Sequence, residues 1–130
     1  MPHIDLQISG TPDATLTRRS AATVADLTQR VLGKKPEVIA ITVRYVAHAD
    51  WIIGGRSLAE QDRNAFHLDI SVTDETNTKA EKAEFLRKAF AALSELIGKV
   101  HPCSYIHVID ARAAAYGYGG LTQEYRHQHG

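Results

Sequence analysis

The sequence contains an internal repeat that spans almost its whole length. The segments 2–8 and 66–72 match at an offset of 64 residues, with histidine and aspartate in the same places. In both, apolar residues alternate with polar ones, which is typical of a half-buried strand. At an offset of 65, the segment 49–55 falls on the segment 114–120, and both end in Gly-Gly. The repeat predicts two copies of one supersecondary unit.

Each copy predicts a strand, a helix and a second strand. Apolar residues recur at helical spacing through 16–32 and again through 85–97. Thr11 and Pro12 are expected to begin the first helix, and Thr78–Glu81 forms a capping box for the second. Such a helix is long enough to be a right-handed crossover between parallel strands.

Two such units predict an α/β (α+β) fold, a four-stranded sheet with both helices on one face. A sheet covered on one side commonly completes its burial by association with copies of itself. The face without helices is expected to carry His3, Asp5, Gln7, Ala40, Thr42, Arg44, Asp69, Ser71, Tyr105 and His107.

The length of 130 residues favours a single domain, residues 1–130. Within it we expect a first repeat at 2–55, a connection at 56–65, a second repeat at 66–120 and a C-terminal tail at 121–130 that frays at its end. The single cysteine, Cys103, excludes an internal disulfide and is expected to be a small buried residue.

Charge and hydropathy exclude several partner classes. The 15 basic and 15 acidic residues balance, which disfavours a nucleic-acid or membrane-surface partner. The apolar runs are too short for a membrane span, and the amino terminus has no signal-peptide pattern. With one cysteine, these features indicate a cytoplasmic protein.

A proline follows the initiator methionine. Small second residues usually permit removal of Met1, which would leave Pro2 as a free secondary amine at the start of a strand. An α-amine titrates near pH 7.7–8.0 and a proline amine starts higher. Burial and nearby cations both lower the pKa of an amine, toward the range that suits a general base at neutral pH. The alternative is that Pro2 only begins the strand.

These features together resemble the tautomerase superfamily, which uses a βαβ unit once or twice per chain and an amino-terminal proline. The segment 51–55 resembles the aromatic-plus-Gly-Gly hairpin of the 4-oxalocrotonate tautomerases. The segments 33–41 and 105–110 resemble stretches of macrophage migration inhibitory factor. The resemblance implies a homotrimer with pockets at the sheet ends between subunits. It also implies cofactor-free proton transfer with Pro2 as the base.

The resemblance also implies roles for other residues. Lys34 would attract a substrate carboxylate at the pocket entrance, although a solvated turn lysine fits as well. Tyr105 would line the pocket, His107 stands where the inhibitory factor has an asparagine, and Trp51 would form an apolar wall. Each of these three is also compatible with a core or interface position. Tyr116 and Tyr118 are predicted to be core or interface aromatics.

The chain departs from the 4-oxalocrotonate tautomerases at their two arginines. Thr11-Pro12 occupies the place of the first, and Ala40 the place of the second. Arg44 and Arg112 are the candidate substitutes, and pairing with an acidic residue is the other interpretation of Arg44.

The sequence therefore predicts a tautomerase or isomerase acting on a small 2-oxo or enol carboxylate. Tyr105, His107, Lys34 and backbone amides are the candidate donors to the enolate oxygen. No metal or organic cofactor is expected, because the histidines lack acidic or cysteine companions at ligand spacing. Two alternatives use the same scaffold: a hydrolytic dehalogenase or decarboxylase, and a non-catalytic protein-binding module.

Overall fold

The computed structural model describes residues 2–130. Its first half contains β1 (His3–Ser9), α1 (Ala14–Leu32), β2 (Ala40–Val46), β3 (Ile52–Ile53), β4 (Arg56–Ser57) and α2 (Leu58–Gln61). Its second half contains β5 (Phe66–Thr73), α3 (Lys79–Ile97), β6 (Tyr105–Ala111), β7 (Gly117–Tyr118), β8 (Leu121–Thr122) and α4 (Gln123–His129). The order strand, helix, strand, hairpin, helix therefore occurs twice.

The four long strands form one sheet in the order β2-β1-β5-β6. β1 is parallel to β2 and β5 is parallel to β6, so each parallel pair belongs to one half of the chain. At the centre β1 and β5 run antiparallel, with Leu6 opposite Leu68. The predicted fold class, a duplicated β-α-β unit in a four-stranded sheet, is confirmed.

Both long helices cover the same face of this sheet. α1 packs against α3, and each helix turns one apolar side toward the strands. The fully buried side chains include Ile4, Leu6, Ile8, Val24, Phe66, Leu68, Ile70, Val72, Phe85, Ala89 and Leu93. Their removal from water is the main source of stability. Within residues 2–130, no helix combines the length and the apolar character that a membrane crossing requires.

The helix starts agree with the sequence analysis in α3 and differ in α1. α3 begins with the expected capping box, in which Thr78 and Glu81 each bond the other's backbone amide. α1 begins two residues later than expected, and its N-cap is Asp13 rather than Thr11. The Asp13 carboxylate accepts from the Leu16 amide at 3.0 Å. Asp caps more strongly than Thr, so the more favourable cap fixes the start of the helix.

One further expectation is wrong. Cys103 is exposed, because the buried position before β6 is taken by Ser104. The Ser104 hydroxyl accepts from the Phe66 amide at 3.2 Å and donates to the His101 carbonyl.

The C-terminal tail 121–130 has structure that the sequence analysis did not identify. It forms β8 and α4, and the Thr122 hydroxyl caps α4 by accepting from the Tyr125 amide.

Candidate functional site

Pro2 stands at one end of the sheet, immediately before β1. It is buried, and its carbonyl accepts from the Ala40 amide at 3.3 Å, which continues the pairing of β1 with β2. Because β1 is antiparallel to β5, it begins where β5 ends, with His3 opposite Ser71. The expected removal of Met1 concerns a residue outside the described range and stays a prediction.

A cavity of about 670 Å³ opens at this same end of the sheet. Its walls come from the turn after α1, the end of β5, the segment after β6 and helix α4. The topology explains this meeting, because β1 and β2 begin where β5 and β6 end. Chain segments from both repeats therefore surround the space near Pro2.

Lys34 contributes a buried cation to the cavity. Gly33 ends α1 in a left-handed conformation with φ of 70°, and the chain then turns Lys34 inward. Only 8% of Lys34 is exposed, and its Nζ donates to the Thr76 hydroxyl at 2.9 Å. Burial lowers the pKa of the Lys34 ammonium, against the opposing influence of the Glu81 carboxylate. Of the two interpretations of Lys34, the solvated turn lysine is wrong.

Arg126 contributes a second cation that the sequence analysis did not identify. Its guanidinium stacks 4.0 Å from the centroid of the Tyr118 ring, and its Nη2 donates to the Tyr118 carbonyl at 3.0 Å. The Arg126 Nε, the Gln123 Oε1 and the Thr73 Oγ1 are buried and have no hydrogen-bond partner within residues 2–130. All three residues line the cavity. Residues of the cavity wall therefore carry buried polar atoms without a hydrogen-bond partner.

The repeat contains the signal that could have identified Arg126. At the offset of 65, Arg126 corresponds to Gln61 of α2. The Gln61 side chain donates to the Ile53 carbonyl, and Arg126 donates to the carbonyl of the corresponding Tyr118. Both halves thus tie a helix to its hairpin in the same way. Only the second half does so with a charged group.

The two most buried charged side chains of the cavity are both cations. Lys34 is buried and Arg126 is partly buried, whereas Lys35, Asp74, Glu75 and Glu124 are exposed at the rim. Electrostatic interactions are stronger in the interior than at the solvated rim. The inner part of the cavity consequently favours an anion.

Three of the other predicted site residues, Arg44, Trp51 and Tyr105, lie at the opposite end of the sheet. Arg44 and His67 flank Gln7 on the neighbouring strands, and Tyr105 follows on β6. A strand rises roughly 3.3 Å per residue, so Gln7 lies about 16 Å along β1 from Pro2. Within one chain, neither Arg44 nor Tyr105 reaches Pro2.

Trp51 belongs to this distant end as well. Its ring packs with Leu58 and Ala65 in a small second core and lies 4.7 Å from the His67 ring, centroid to centroid. Tyr105 is 68% exposed, and its ring lies 6.0 Å from His67. His107 is exposed at mid-sheet, opposite Asp69. The one-chain structure thus separates an aromatic cluster of Trp51, His67 and Tyr105 from Pro2.

Arg112 lies at the Pro2 end but outside the main cavity. It follows β6, is exposed, and lines a shallower groove together with Asp74, Glu75 and Glu124. Its surroundings are therefore acidic and open to solvent. Within residues 2–130, no group of three or more His, Cys, Asp or Glu side chains is arranged to hold a metal ion.

Comparisons with known proteins identify the fold. No protein-family model matches the chain, and no curated protein matches it. The structure of native fused 4-OT superposes with a TM-score of 0.79 at 13% identity, covering 95% of this chain and 97% of that one. The structure of Pt0534 inactivated by 2-oxo-3-pentynoate superposes with a TM-score of 0.82 at 10% identity, covering 95% of this chain and 98% of that one. A macrophage migration inhibitory factor-like protein from Entamoeba histolytica superposes with a TM-score of 0.72 at 16% identity, covering 93% of this chain and 97% of that one. The chain has the fold of the 4-OT-like and inhibitory factor-like structures.

The burial of Lys34 predicts a stability difference that depends on pH. A lowered pKa in the folded state means that folding disfavours the charged lysine. We expect Lys34→Met to be more stable than the wild type at neutral pH, since it keeps the volume and removes that cost. The stability difference between the variant and the wild type should shrink as the pH rises from the lowered pKa of the folded state toward the pKa of an ordinary lysine. In that range only the unfolded wild type still binds the proton, so the folded wild type gains stability. Urea unfolding at several pH values measures it. A variant that is less stable at neutral pH contradicts this account.

Proposed function

We propose that the protein is a cofactor-independent tautomerase that uses the Pro2 nitrogen as general base on a small 2-oxo or enol carboxylate. The observation that carries the proposal is the position of Pro2, buried at the sheet end where the cationic cavity opens. The fold supports it, since one structure of this fold is of a protein inactivated by 2-oxo-3-pentynoate.

The base requires a free, neutral amine. After removal of Met1, the Pro2 nitrogen would be a secondary amine on the first residue of a rigid sheet. Burial disfavours its protonated form, and the cations Lys34 and Arg126 at the same sheet end do so too. The amine would take a proton from the carbon next to the ketone and return it to a different atom of the enolate. Positioned general bases of this kind contribute about 10²–10⁴-fold.

The carboxylate of the substrate would bind between Lys34 and Arg126. The guanidinium is already oriented by its stack on Tyr118 and its bond to the Tyr118 carbonyl, so little side-chain freedom is lost on binding. The Arg126 guanidinium, on the cavity wall, would donate to the carboxylate opposite the Lys34 ammonium. This assignment takes the place of Arg112 in the sequence-based proposal. Arg112 remains a candidate for the outer rim.

The residues at the far end of the sheet would join the site through assembly. Several structures of this fold are fused 4-OT trimers. In a homotrimer with pockets between subunits, the Tyr105 end of one copy would meet the Pro2 end of the next. The exposure of Tyr105, Arg44 and His107 on the helix-free face supports this arrangement. Trp51 would then form an apolar wall behind Tyr105.

Substitution of Pro2 tests the base. We expect Pro2→Ala to lower kcat/KM for phenylpyruvate tautomerisation on the order of 10²–10⁴-fold, and a chain that retains Met1 to be inactive. The triple bond of 2-oxo-3-pentynoate is conjugated with a ketone, so a neutral amine can add to it. Intact-mass analysis should find one adduct, mapped to the amino-terminal peptide and missing when Met1 is retained.

Pro102→Ala serves as the matched control, because Pro102 is exposed in the loop before β6. Full activity in Pro2→Ala, with the fold intact by circular dichroism, would end the proposal that Pro2 is the base, whereas a wild type without activity would favour the non-catalytic protein-binding module.

Substitution of Arg126 tests the carboxylate site. Arg126→Gln copies the residue at the corresponding position 61 and should keep the bond to the Tyr118 carbonyl while removing the charge. A hydrogen bond to a charged group contributes about 1.5–3 kcal/mol, so we expect KM to rise roughly 10- to 100-fold. Steady-state kinetics measure it, with the exposed Arg18→Gln as control. An unchanged KM excludes Arg126 from the site.

Mixed assemblies test whether two copies build one site. Pro2→Ala and Tyr105→Ala chains should each have little activity when expressed alone. Co-expressed in equal amounts, they should form trimers in which about one site in four combines an intact Pro2 with an intact Tyr105. A doubly substituted chain in place of Tyr105→Ala is the control and should restore nothing. A monomer by light scattering, or no recovery on mixing, contradicts the shared site.

A further inference from the structure

The hydroxyl of Tyr116 joins the two central strands next to Pro2. It accepts a hydrogen bond from the His3 backbone amide at 3.1 Å and donates one to the Ser71 carbonyl at 2.9 Å. His3 and Ser71 are register partners on β1 and β5. A side chain from the second-half hairpin thus bridges the two strands at the position where β1 begins.

The hydroxyl also contacts the side chain of His3 through its second acceptor lone pair. The Nδ1 of His3 lies 3.1 Å from the Tyr116 oxygen, and the two rings are 5.6 Å apart. A hydroxyl has one proton and two acceptor lone pairs, and the Ser71 carbonyl can only accept. The proton therefore goes to Ser71, and the His3 Nδ1 must carry its own hydrogen and donate it. The oxygen then holds both the backbone and the ring of His3.

The hydroxyl lies close to the proposed base. Only three backbone bonds separate the His3 nitrogen from the Pro2 nitrogen, which puts the Tyr116 oxygen within roughly 7.5 Å of it. Burial raises the pKa of the Tyr116 phenol, and the bond from the His3 amide opposes this effect. The phenol therefore stays protonated at neutral pH and keeps its donor to Ser71.

The other half of the chain provides an internal comparison. At the offsets of the repeat, Tyr116 corresponds to Trp51, and His3 corresponds to His67. Trp51 packs on the His67 ring as Tyr116 packs beside His3, but its indole belongs to a small core with Leu58 and Ala65. The bridging hydroxyl is therefore present where the strand begins with Pro2. At the end where the strand begins with the internal residue Phe66, a buried tryptophan takes its place.

We propose that Tyr116 is the positioning residue of the Pro2 base: by fixing the first peptide of β1 to Ser71, it fixes the orientation of the proline nitrogen toward the cavity. The inference rests on the proposed function. A displaced base costs catalysis more than binding, since small errors in position reduce the rate strongly. Substrate affinity depends on the cavity cations Lys34 and Arg126, so a change at Tyr116 should leave it unaltered.

Tyr116→Phe removes only the hydroxyl and tests this role. We expect kcat for phenylpyruvate to fall by roughly 10- to 100-fold with KM within about twofold of the wild type, and labelling by 2-oxo-3-pentynoate to slow in parallel. Hydrogen exchange of the His3 amide should accelerate, which reports directly on the lost bond and requires no activity. Normal kcat and labelling in Tyr116→Phe would overturn the proposal, as would a His3 amide that exchanges at the wild-type rate.

Tyr45→Phe is the matched control. Its hydroxyl donates to the Asp13 carbonyl at 2.9 Å and lies 2.8 Å from the Thr17 hydroxyl, at the other end of the sheet. The Tyr45→Phe variant should lose about as much stability as Tyr116→Phe, with kcat unchanged.

The outcomes separate the possible failures. If both variants lower kcat alike, Tyr116 has a purely structural role. If Pro2→Ala is fully active, the proposed function fails. If only Tyr116→Phe behaves as wild type, the positioning role fails alone.

Discussion

The antiparallel pairing of β1 with β5 is the contact on which both ends of the molecule depend. It joins the two β-α-β units, which are also held together by the packing of α1 on α3. The pair of Leu6 and Leu68 at its centre is fully buried, so the register cannot slip without exposing a whole apolar row. Because the strands run in opposite directions, each sheet end combines the strand start of one half with the hairpin of the other half. The cavity at the Pro2 end of the sheet is lined by segments of both halves for this reason.

The repeat explains how much of the fold could be predicted from the sequence. Alternation and helical spacing are strong signals in long elements such as β5 and α3, and those elements occur as expected. Short elements held by specific contacts were harder. The sequence analysis assigns the segment 121–130 no helix, yet Thr122 caps α4 and Arg126 binds the Tyr118 carbonyl. Extending the repeat past Gly120 would have matched Thr122 with the capping residue Ser57.

The candidate site was less accessible to sequence reasoning, for a physical reason. Because β1 and β5 are antiparallel, the hairpin of each half lies at the sheet end where the first strand of the other half begins. The position of a residue in the sequence therefore does not show which end of the sheet its side chain occupies. Lys34 is a candidate through the resemblance to macrophage migration inhibitory factor, and its burial distinguishes between the two interpretations. Arg44, Trp51 and Tyr105 lie at the far end, and their participation stays a prediction that depends on assembly. Tyr116 was expected to be only a core or interface aromatic, because hydrogen bonds to a distant backbone leave no pattern in the sequence.

The two strand starts of the repeat are chemically unequal. Phe66 occupies in the second half the position that Pro2 has in the first, and its backbone nitrogen is an internal amide that donates to Ser104. Duplication within one chain therefore yields a single terminus, and in the proposed enzyme it limits the stoichiometry to one reactive amine per polypeptide. The Phe66 end has no terminal amine, so in the proposed enzyme it can contribute side chains to a neighbouring copy's site but never a second base.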